Sequence, residues 1–392
     1  KAVGPKASRL FYSSLVKEDI MIRTAIKKVV LGQGLEEKEM EEVMGRIIDG
    51  KVPVSQVGAL LTALRMKGES VDEITGAARA LQARLHRFRL NNHLLNLDRD
   101  DINFEEETIL EVSDTGVNGT QIFNVSAATT FVVAGSGRRI ARYGNKMSSR
   151  FLGTADVLER MGIYLDISSS DVERCLEEVG IGLLFSPMQH GPMRSVARIR
   201  TEMGIRTIFN LINPLATPAH AASHMLGVYE ADLTEPIARV IRRLGGKEAL
   251  VIYGAETFDE LSLCGPTRVS HLQEGDIQTF DIEPEDYGFQ RVAPEALKGG
   301  SINENAAIVM TILDGDKGPR RDMVLLNSGA ALWAAGETDS LEAGIKRAAD
   351  IIDAGQAKQK LEDLIAFTNQ CAAYDRDASI FQYGSGMEAA SL

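Results

Sequence analysis

The sequence predicts an α/β protein with a small N-terminal helical domain and a large α/β domain with a mainly parallel central sheet. Residues 21 to 85 show the apolar spacing of consecutive short helices. From residue 109 onward, short apolar strands alternate with helical runs. The chain has 392 residues, which is long enough for two hydrophobic cores. Alternating strands and helices favour a parallel sheet covered on both faces.

The N-terminal helices have recognisable ends. One apolar face runs from Met40 to Ile48, and Asp49-Gly50 followed by Pro53 ends that helix. A second face runs from Val57 to Leu64 and stops at Lys67-Gly68. The third helix begins at a capping box, Ser70-Val71-Asp72-Glu73. Short connections between these helices predict a compact helical domain.

The α/β region is predicted from buried apolar runs and the helical runs between them. The predicted strands or extended segments are Ile109–Val112, Arg139–Arg142, Ile181–Phe185 and Leu250–Tyr253, and the predicted helices are Ala127–Ala134 and Asp156–Met161.

Domain boundaries follow from changes in composition. Residues 1–90 are expected to hold an N-terminal extension and the helical domain, and the polar, acidic segment 91–108 to connect the domains. Residues 109–369 form the predicted α/β domain, although helices near 188–215 are allowed to pack with the helical domain. The segment 370–392 lacks periodicity and is predicted to be a loose tail.

The overall charge excludes some classes of partner. A formal net charge of −12 argues against general binding to nucleic acid or membrane surfaces, because both need a basic face. The three scattered cysteines form neither a disulfide framework nor a metal-ligand spacing. They fit a reducing compartment, so we expect a cytoplasmic protein without a membrane partner.

A loop with two glycines leads from the first predicted strand into a helix. Gly116 and Gly119 would let backbone N–H groups approach a phosphate, and the helix N-terminus beyond Asn124 and Ser126 adds partial positive charge. The same segment is also compatible with an ordinary strand–turn–helix junction.

Basic residues are concentrated after the next predicted strand. Five of the thirteen residues from Arg138 to Arg150 are basic, in a chain that is acidic overall. A solvated charged loop would show this pattern. A strand that delivers Arg142 and Lys146 to its carboxyl end, where open α/β sheets bind ligands, would show it too.

Two further segments offer polar groups. Asp259-Glu260 follows the last predicted strand, and adjacent carboxylates on a loop suit a hard cation, although such a pair is often only solvated. His190 lies between Gln189 and Gly191 and is either a pocket residue or a turn residue.

Together these segments resemble the anthranilate phosphoribosyltransferase family, from about Met21 to about Asn369. The closest stretches are Asp156–Glu159, Gly204–Leu211, Leu226–Tyr229, Asp259–Ser262 and Glu304–Ala307. The resemblance implies a fold of the nucleoside phosphorylase/phosphoribosyltransferase type and a homodimer formed through the helical domain. It also implies transfer of phosphoribose from phosphoribosyl pyrophosphate to the amino group of anthranilate, in tryptophan biosynthesis, with Mg2+.

The resemblance assigns roles residue by residue. The residues implied to bind the donor are Thr115, Gly116, Asn118, Gly119, Asn124, Ser126, Arg142, Lys146, Ser149 and Arg150. The residues implied to bind the acceptor are Tyr143, Asn145, His190 and Arg200, with Arg200 facing the anthranilate carboxylate. Magnesium is implied at Ser126, Asp259 and Glu260.

The chain departs from the family pattern in the donor loop and the acceptor pocket. The family's GTGGDG reads Asp114-Thr115-Gly116-Val117-Asn118-Gly119, and its KHGN reads Arg142-Tyr143-Gly144-Asn145. Val117 limits backbone angles beside the pyrophosphate. We expect Arg150 to supply by its side chain some of the charge that backbone amides supply in the family.

Three alternatives remain open from the sequence. The first is the same chemistry on another aromatic amine, and the second is a binding protein that has lost catalysis. The third is a pyrimidine-nucleoside phosphorylase, which has a related architecture but would use inorganic phosphate and would not need the acidic pair. Dependence on magnesium separates this third alternative from phosphoribosyl transfer to anthranilate.

Overall fold

The structure is a computed structural model, and it describes residues 20–85, 109–114, 122–143, 153–184, 194–216 and 221–384. The chain divides into two compact units. Unit 1 comprises Lys1–Leu85 and His190–Thr217, and unit 2 comprises His86–Gln189 and Pro218–Leu392. The connection proposed for residues 91–108 lies outside the described residues.

Unit 1 is helical throughout its described part. Its helices are α1 (20–30), α2 (Glu37–Ile48), α3 (Val54–Lys67) and α4 (Val71–Gln82), together with α8 (Arg194–Met203) and α9 (Ile208–Ile212) in chain order. Helices α8 and α9 therefore group with the N-terminal helices. The predicted helix ends at Asp49, Gly68 and Ser70 are confirmed.

Helices α2 and α4 pack closely because Gly76 has no side chain. A Cβ atom at Gly76 would lie 2.2 Å from the carbonyl oxygen of Glu37. Near the start of α4, the fully buried carboxylate of Glu73 accepts hydrogen bonds from the backbone N–H of Leu35 and of Ser70, and it pairs with Lys67 Nζ at 2.8 Å. One carboxylate thus joins three segments of unit 1.

Unit 2 contains a seven-stranded sheet in the order β3-β2-β1-β4-β5-β6-β7. The strands are β1 (Leu110–Asp114), β2 (Ile140–Tyr143), β3 (Ile181–Leu184), β4 (Ser223–Gly227), β5 (Glu248–Gly254), β6 (Thr267–Gln273) and β7 (Asp276–Ile282). The first five pair in parallel, and β6 and β7 are antiparallel. The predicted mainly parallel sheet is confirmed.

Helices cover both faces of this sheet. The helices of unit 2 are α5 (Val125–Gly135), α6 (Thr154–Arg160), α7 (Ser169–Glu178), α10 (Thr234–Leu244), α11 (Ile302–Leu313), α12 (Pro319–Ala334), α13 (Leu341–Asp353) and α14 (Gln356–Gly384). Leu250 and Ile252 of β5 join the large core, whereas Ala249 and Val251 alternate with them and are also buried. Alternate residues of one strand point to opposite faces, so neither face of β5 is exposed to solvent.

Helix α12 contains Trp333, which is the single tryptophan of the chain. Its ring meets the imidazole of His271 on β6 edge to face, with ring centroids 4.5 Å apart. Burial lowers the pKa of His271 below its ordinary value, so the imidazole beside the indole is neutral at neutral pH.

Two sequence predictions need correction in unit 2. Helix α14 continues to Gly384, so residues 370–384 are helical and not a loose tail. Helix α6 begins at Thr154, two residues before the predicted start at Asp156. Among the described residues, no helix combines the length and apolarity needed to cross a membrane.

Candidate active site

The carboxyl ends of β1, β2, β4 and β5 meet at one edge of the parallel sheet. The chain passes from β1 to β2 on one side and from β4 to β5 on the other, so the strand order reverses between the neighbours β1 and β4. Open α/β sheets bind ligands at such a switch point. Helix α5 follows β1 at this edge, and the segment with Asp259 and Glu260 follows β5.

Asn124 caps helix α5. Its Oδ1 accepts a hydrogen bond from Ala127 N at 2.9 Å and one from the Ser126 hydroxyl at 3.3 Å. Its Nδ2 donates to Thr154 Oγ1, and its backbone N–H donates to the buried Asn305 Oδ1 at 3.0 Å. The sequence prediction placed Ser126 before the helix, but Ser126 lies inside its first turn, behind the cap.

Arg142 brings a positive charge to the same helix end. Its side chain is 1% exposed, and its Nη2 donates to Ser126 Oγ at 2.6 Å. Further hydrogen bonds reach the Ser126 carbonyl and Thr154 Oγ1. The Ser126 hydroxyl, which donates to Asn124 and accepts from Arg142, is therefore fixed in orientation. A hydroxyl oxygen has two lone pairs, so one remains for a ligand.

Thr154 and Asn305 were missed as site residues by the sequence analysis. The Thr154 hydroxyl accepts hydrogen bonds from Asn124, 30 residues away in sequence, and from Arg142, 12 residues away. Asn305 of α11 is 181 residues away from Asn124, whose backbone N–H it binds. For Thr154 the local signal was a position at a helix start after Gly153, and for Asn305 it was a position after Ser301 within the family-like stretch Glu304–Ala307.

The acidic pair lies on a tightly built loop after β5. A Cβ atom at Gly227, the last residue of β4, would lie 2.0 Å from the Asp259 carbonyl oxygen, and one at Gly254 would lie 2.1 Å from that of Glu260. Two glycines therefore allow the loop to lie against the strand ends. The Thr257 hydroxyl donates to the Glu260 carbonyl at 2.9 Å.

The donor atoms of this edge suit a hard cation. Both carboxylates of the pair are half-buried, and Ser126 adds a hydroxyl at the same sheet edge. Magnesium prefers oxygen ligands and is usually held by one or two carboxylates together with substrate phosphates. The described residues contain no cluster of three or more His, Cys, Asp or Glu side chains placed to hold a metal, so a metal here would need oxygen ligands besides the two carboxylates. Two carboxylates and a hydroxyl thus fit magnesium by their chemistry.

Arg200 belongs to helix α8 of unit 1. Its guanidinium carbon lies 5.6 Å from the centroid of the Phe209 ring, a cation–π contact that restrains the side chain. It is half-buried, so its charge remains partly accessible.

The remaining predicted site residues stay predictions. Tyr143 ends β2, and only its backbone is described. The others lie outside the described residues: Thr115, Gly116, Asn118, Gly119, Asn145, Lys146, Ser149, Arg150 and His190.

A titratable pair lies in the strands that carry the site, with Glu111 buried and the His224 side chain 14% exposed. Glu111 of β1 and His224 of β4 are register partners, and Glu111 Oε2 lies 3.8 Å from His224 Nδ1. Burial lowers the pKa of His224 to about 4, and a backbone hydrogen bond with Ala221 offsets only part of that effect. The imidazole is therefore neutral at neutral pH.

Comparisons with known proteins match both units. A family model for the glycosyl transferase family, a/b domain, matches residues 106–358, and the model for its helical bundle domain matches residues 23–85. The anthranilate phosphoribosyltransferase of Trichlorobacter lovleyi is 46% identical over 349 residues, which are 89% of this chain and 100% of that protein. That of Syntrophotalea carbinolica is 48% identical, over 89% of this chain and 99% of that protein.

Solved structures give the same result. The anthranilate phosphoribosyltransferase of Thermus thermophilus superposes with a TM-score of 0.79 at 36% identity, covering 88% of this chain and 99% of that one. The Saccharomyces cerevisiae enzyme in complex with PRPP and Mg has a TM-score of 0.77 at 25% identity, covering 90% and 99%. Another structure of the yeast enzyme contains 4-fluoroanthranilate, with a TM-score of 0.74 at 25% identity, covering 89% and 98%. The predicted family is confirmed: the chain belongs to the anthranilate phosphoribosyltransferase family and is a glycosyltransferase.

Proposed function

We propose that this chain transfers phosphoribose from phosphoribosyl pyrophosphate to the amino group of anthranilate, depends on Mg2+, and releases pyrophosphate. The observation that carries the proposal is the start of α5, where Asn124, Ser126 and the buried Arg142 form one hydrogen-bonded group at the switch point of the sheet. A helix N-terminus with an adjacent guanidinium attracts phosphate oxygens. Relatives named anthranilate phosphoribosyltransferase, and a structure of the yeast enzyme with PRPP and Mg, support the choice of donor.

The reaction breaks the bond between ribose C1 and the pyrophosphate oxygen, and the electron pair leaves with pyrophosphate. The amine nitrogen forms the new bond to C1 and then loses a proton to solvent. Positive charge develops on the sugar during this step, and water could attack the sugar carbon in place of the amine. The residues therefore have to position the two substrates and exclude water. An aromatic amine is already nucleophilic, and the reaction therefore needs no strong protein base.

The described residues divide these tasks. Asp259, Glu260 and Ser126 would hold Mg2+, which, when bound, neutralises charge on the pyrophosphate. Arg142 orients the Ser126 hydroxyl and places a positive charge behind it. Arg200 would pair with the acceptor carboxylate, because a desolvated anion needs a charged hydrogen-bond donor. The 4-fluoroanthranilate bound to the yeast enzyme supports an aromatic acid as acceptor.

We also propose a homodimer formed through unit 1. This unit exposes several large apolar side chains, namely Val30, Leu31, Val54 and Met66, of which Met66 is 83% exposed. These side chains are the candidate contacts of the dimer that the family resemblance implies. Analytical ultracentrifugation of Leu31→Glu and Met66→Glu variants tests this proposal. A cytoplasmic location is supported by the three cysteines, Cys175, Cys264 and Cys371, none of which forms a disulfide.

A donor-consumption assay tests the proposed function. Purified chain is incubated with phosphoribosyl pyrophosphate, with and without Mg2+, and with anthranilate, its para isomer or aniline. We expect turnover only with Mg2+ and fastest with anthranilate. If another amine is turned over faster than anthranilate, that amine is the acceptor and the proposed acceptor is wrong. If the parent is inactive while Val117→Gly with Asn118→Asp is active, the chain has lost catalysis through its donor loop.

A further inference from the structure

Asn327 of α12 holds the residue that follows the acidic pair. Its side chain is fully buried, and its Oδ1 accepts a hydrogen bond from Leu261 N at 2.8 Å. Its Nδ2 donates to the Leu261 carbonyl at 2.9 Å and to the Met323 carbonyl at 2.9 Å. The amide therefore pairs with both backbone groups of Leu261, as a neighbouring strand would.

The loop that contains the acidic pair needs such support. Glu256 and Phe258 have φ angles of 63° and 55°, in the left-handed region that side chains other than glycine rarely adopt. Backbone in this region persists only where the surroundings fix it. On its β5 side the loop is closed by two hydrogen bonds between Gly254 and Phe258. On its other side Leu261 pairs with Asn327.

This arrangement fixes Asp259 and Glu260 between two anchors. Phe258 precedes the pair and Leu261 follows it, and both anchors are bound through backbone atoms. Gly227 and Gly254 leave no free space beside the two carbonyl oxygens, so the pair has little room to shift toward the strands. Removal of the Leu261 anchor would loosen the C-terminal side of the pair and leave it held through Ser262, which donates hydrogen bonds to Thr267 Oγ1 and to the Ala255 carbonyl.

We propose that Asn327 is a positioning residue that holds Asp259 and Glu260 in the geometry for the metal–pyrophosphate complex. This inference rests on the proposed function. Outer groups that orient metal ligands typically account for roughly 10- to 100-fold in metal affinity or activity, although they do not touch the metal. Asn327 occupies such a position through the backbone of Leu261, 66 residues away in sequence.

Two measurements on Asn327→Ala test the proposal. The first is the Mg2+ concentration for half-maximal turnover at saturating phosphoribosyl pyrophosphate and anthranilate. We expect it to rise at least about tenfold, with a smaller change in kcat at saturating Mg2+. The second is amide hydrogen exchange of the metal-free chain. Leu261 and the segment 255–262 should lose protection, while β4 and β5 keep theirs.

Two control variants separate positioning from general destabilisation. Ser328→Ala removes the adjacent buried hydroxyl of α12, which has no hydrogen-bond partner among the described residues. Ile351→Ala removes a fully buried side chain of α13 and should lower the melting temperature. Both controls should keep the parent's half-saturating Mg2+ concentration.

The outcomes distinguish this proposal from the proposed function. If the parent shows no Mg2+-dependent turnover, both fail. If the parent turns over and Asn327→Ala needs no more Mg2+ than the parent, the positioning role alone is wrong. Unchanged exchange protection of 255–262 in Asn327→Ala, or an equal Mg2+ shift in Ile351→Ala, would also overturn it.

Discussion

At the scale of single residues, the site depends on contacts that fix polar groups before any ligand binds. The Ser126 hydroxyl lies between Asn124 and Arg142, and its orientation is set by both. The pair Asp259–Glu260 is fixed through its backbone. Preorganised groups of this kind avoid reorganisation at the moment of reaction.

Asp259→Ala combined with Glu260→Ala should lower turnover by more than about 100-fold, because both carboxylates proposed to hold Mg2+ are lost. The fold should remain, since both side chains are half-buried on a loop. Steady-state kinetics over a range of Mg2+ concentrations is the measurement. The control is Glu285→Ala with Asp286→Ala. These two residues form another adjacent acidic pair, in the short helix Pro284–Tyr287 and not on the loop after β5. Near-normal activity of the first double variant at low Mg2+ would remove the metal assignment.

Arg200→Ala should raise KM for anthranilate much more than KM for the donor. A charge-assisted hydrogen bond contributes about 1.5–3 kcal/mol, which corresponds to roughly tenfold or more in affinity. Arg198→Ala is the matched control, since this arginine lies on the same helix and pairs with Glu202 at the surface. Equal effects of Arg200→Ala on both substrates would place this arginine away from the acceptor.

Sequence signals predicted site residues where local pattern and chemistry coincide. Asn124 was predicted from its place before an apolar helix, and the structure shows it as the cap. Asn327 and Thr154 were not predicted, because their partners are 66, 30 and 12 residues away and no local pattern marks such contacts. The prediction that Ser126 precedes the helix was wrong, because the cap is Asn124 and Ser126 already lies in the first helical turn.

At the scale of helices and strands, ends marked by special residues were the easiest to predict. Gly68 ends α3 with a φ of 86°, and the Ser70–Glu73 box begins α4. The strand β4 was not predicted, because Ser223 and His224 give it little apolar pattern, and its burial comes from its central place in the sheet. The helical continuation of α14 beyond Asn369 was missed because this segment shows no regular apolar period.

Glu73→Ala should destabilise unit 1 by about 3 kcal/mol, because it leaves the buried N–H of Leu35 and the Lys67 ammonium without their carboxylate. Glu73→Gln should be intermediate, since an amide nitrogen cannot accept hydrogen bonds. Urea unfolding followed by circular dichroism measures the free energy of unfolding. The control is Glu42→Ala, an exposed acid on α2. A loss no larger than that of the control would show that Glu73 does not join the three segments.

At the scale of the whole molecule, stability should depend on pH through His224. Its pKa is about 4 in the folded chain and near the ordinary 6.5 when unfolded, so the unfolded chain binds this proton first as the pH falls. The contribution is complete above pH 6.5 and is lost between pH 6.5 and 4. The full loss, reached near pH 4, should be on the order of 3 kcal/mol, of which about 2 kcal/mol should be lost by about pH 5.

His224→Gln should reduce this loss, because glutamine keeps a hydrogen-bonding side chain and does not titrate in that range. Urea unfolding at about pH 7.5 and about pH 5, on either side of the unfolded pKa, provides the comparison. Glu111→Gln, in the neighbouring strand, separates the effect of the carboxylate that lies 3.8 Å from the imidazole. A parent and a His224→Gln variant with the same pH dependence would assign the loss to other groups.

Because Trp333 is the single tryptophan, all indole emission from this chain originates in unit 2, at the contact between α12 and β6. Unit 1 therefore contributes no signal to selectively excited fluorescence, whereas circular dichroism records the helices of both units. A chain of two units need not unfold in one step. The two optical signals, recorded in one titration, would resolve whether the helical unit unfolds before the sheet that carries the acidic pair.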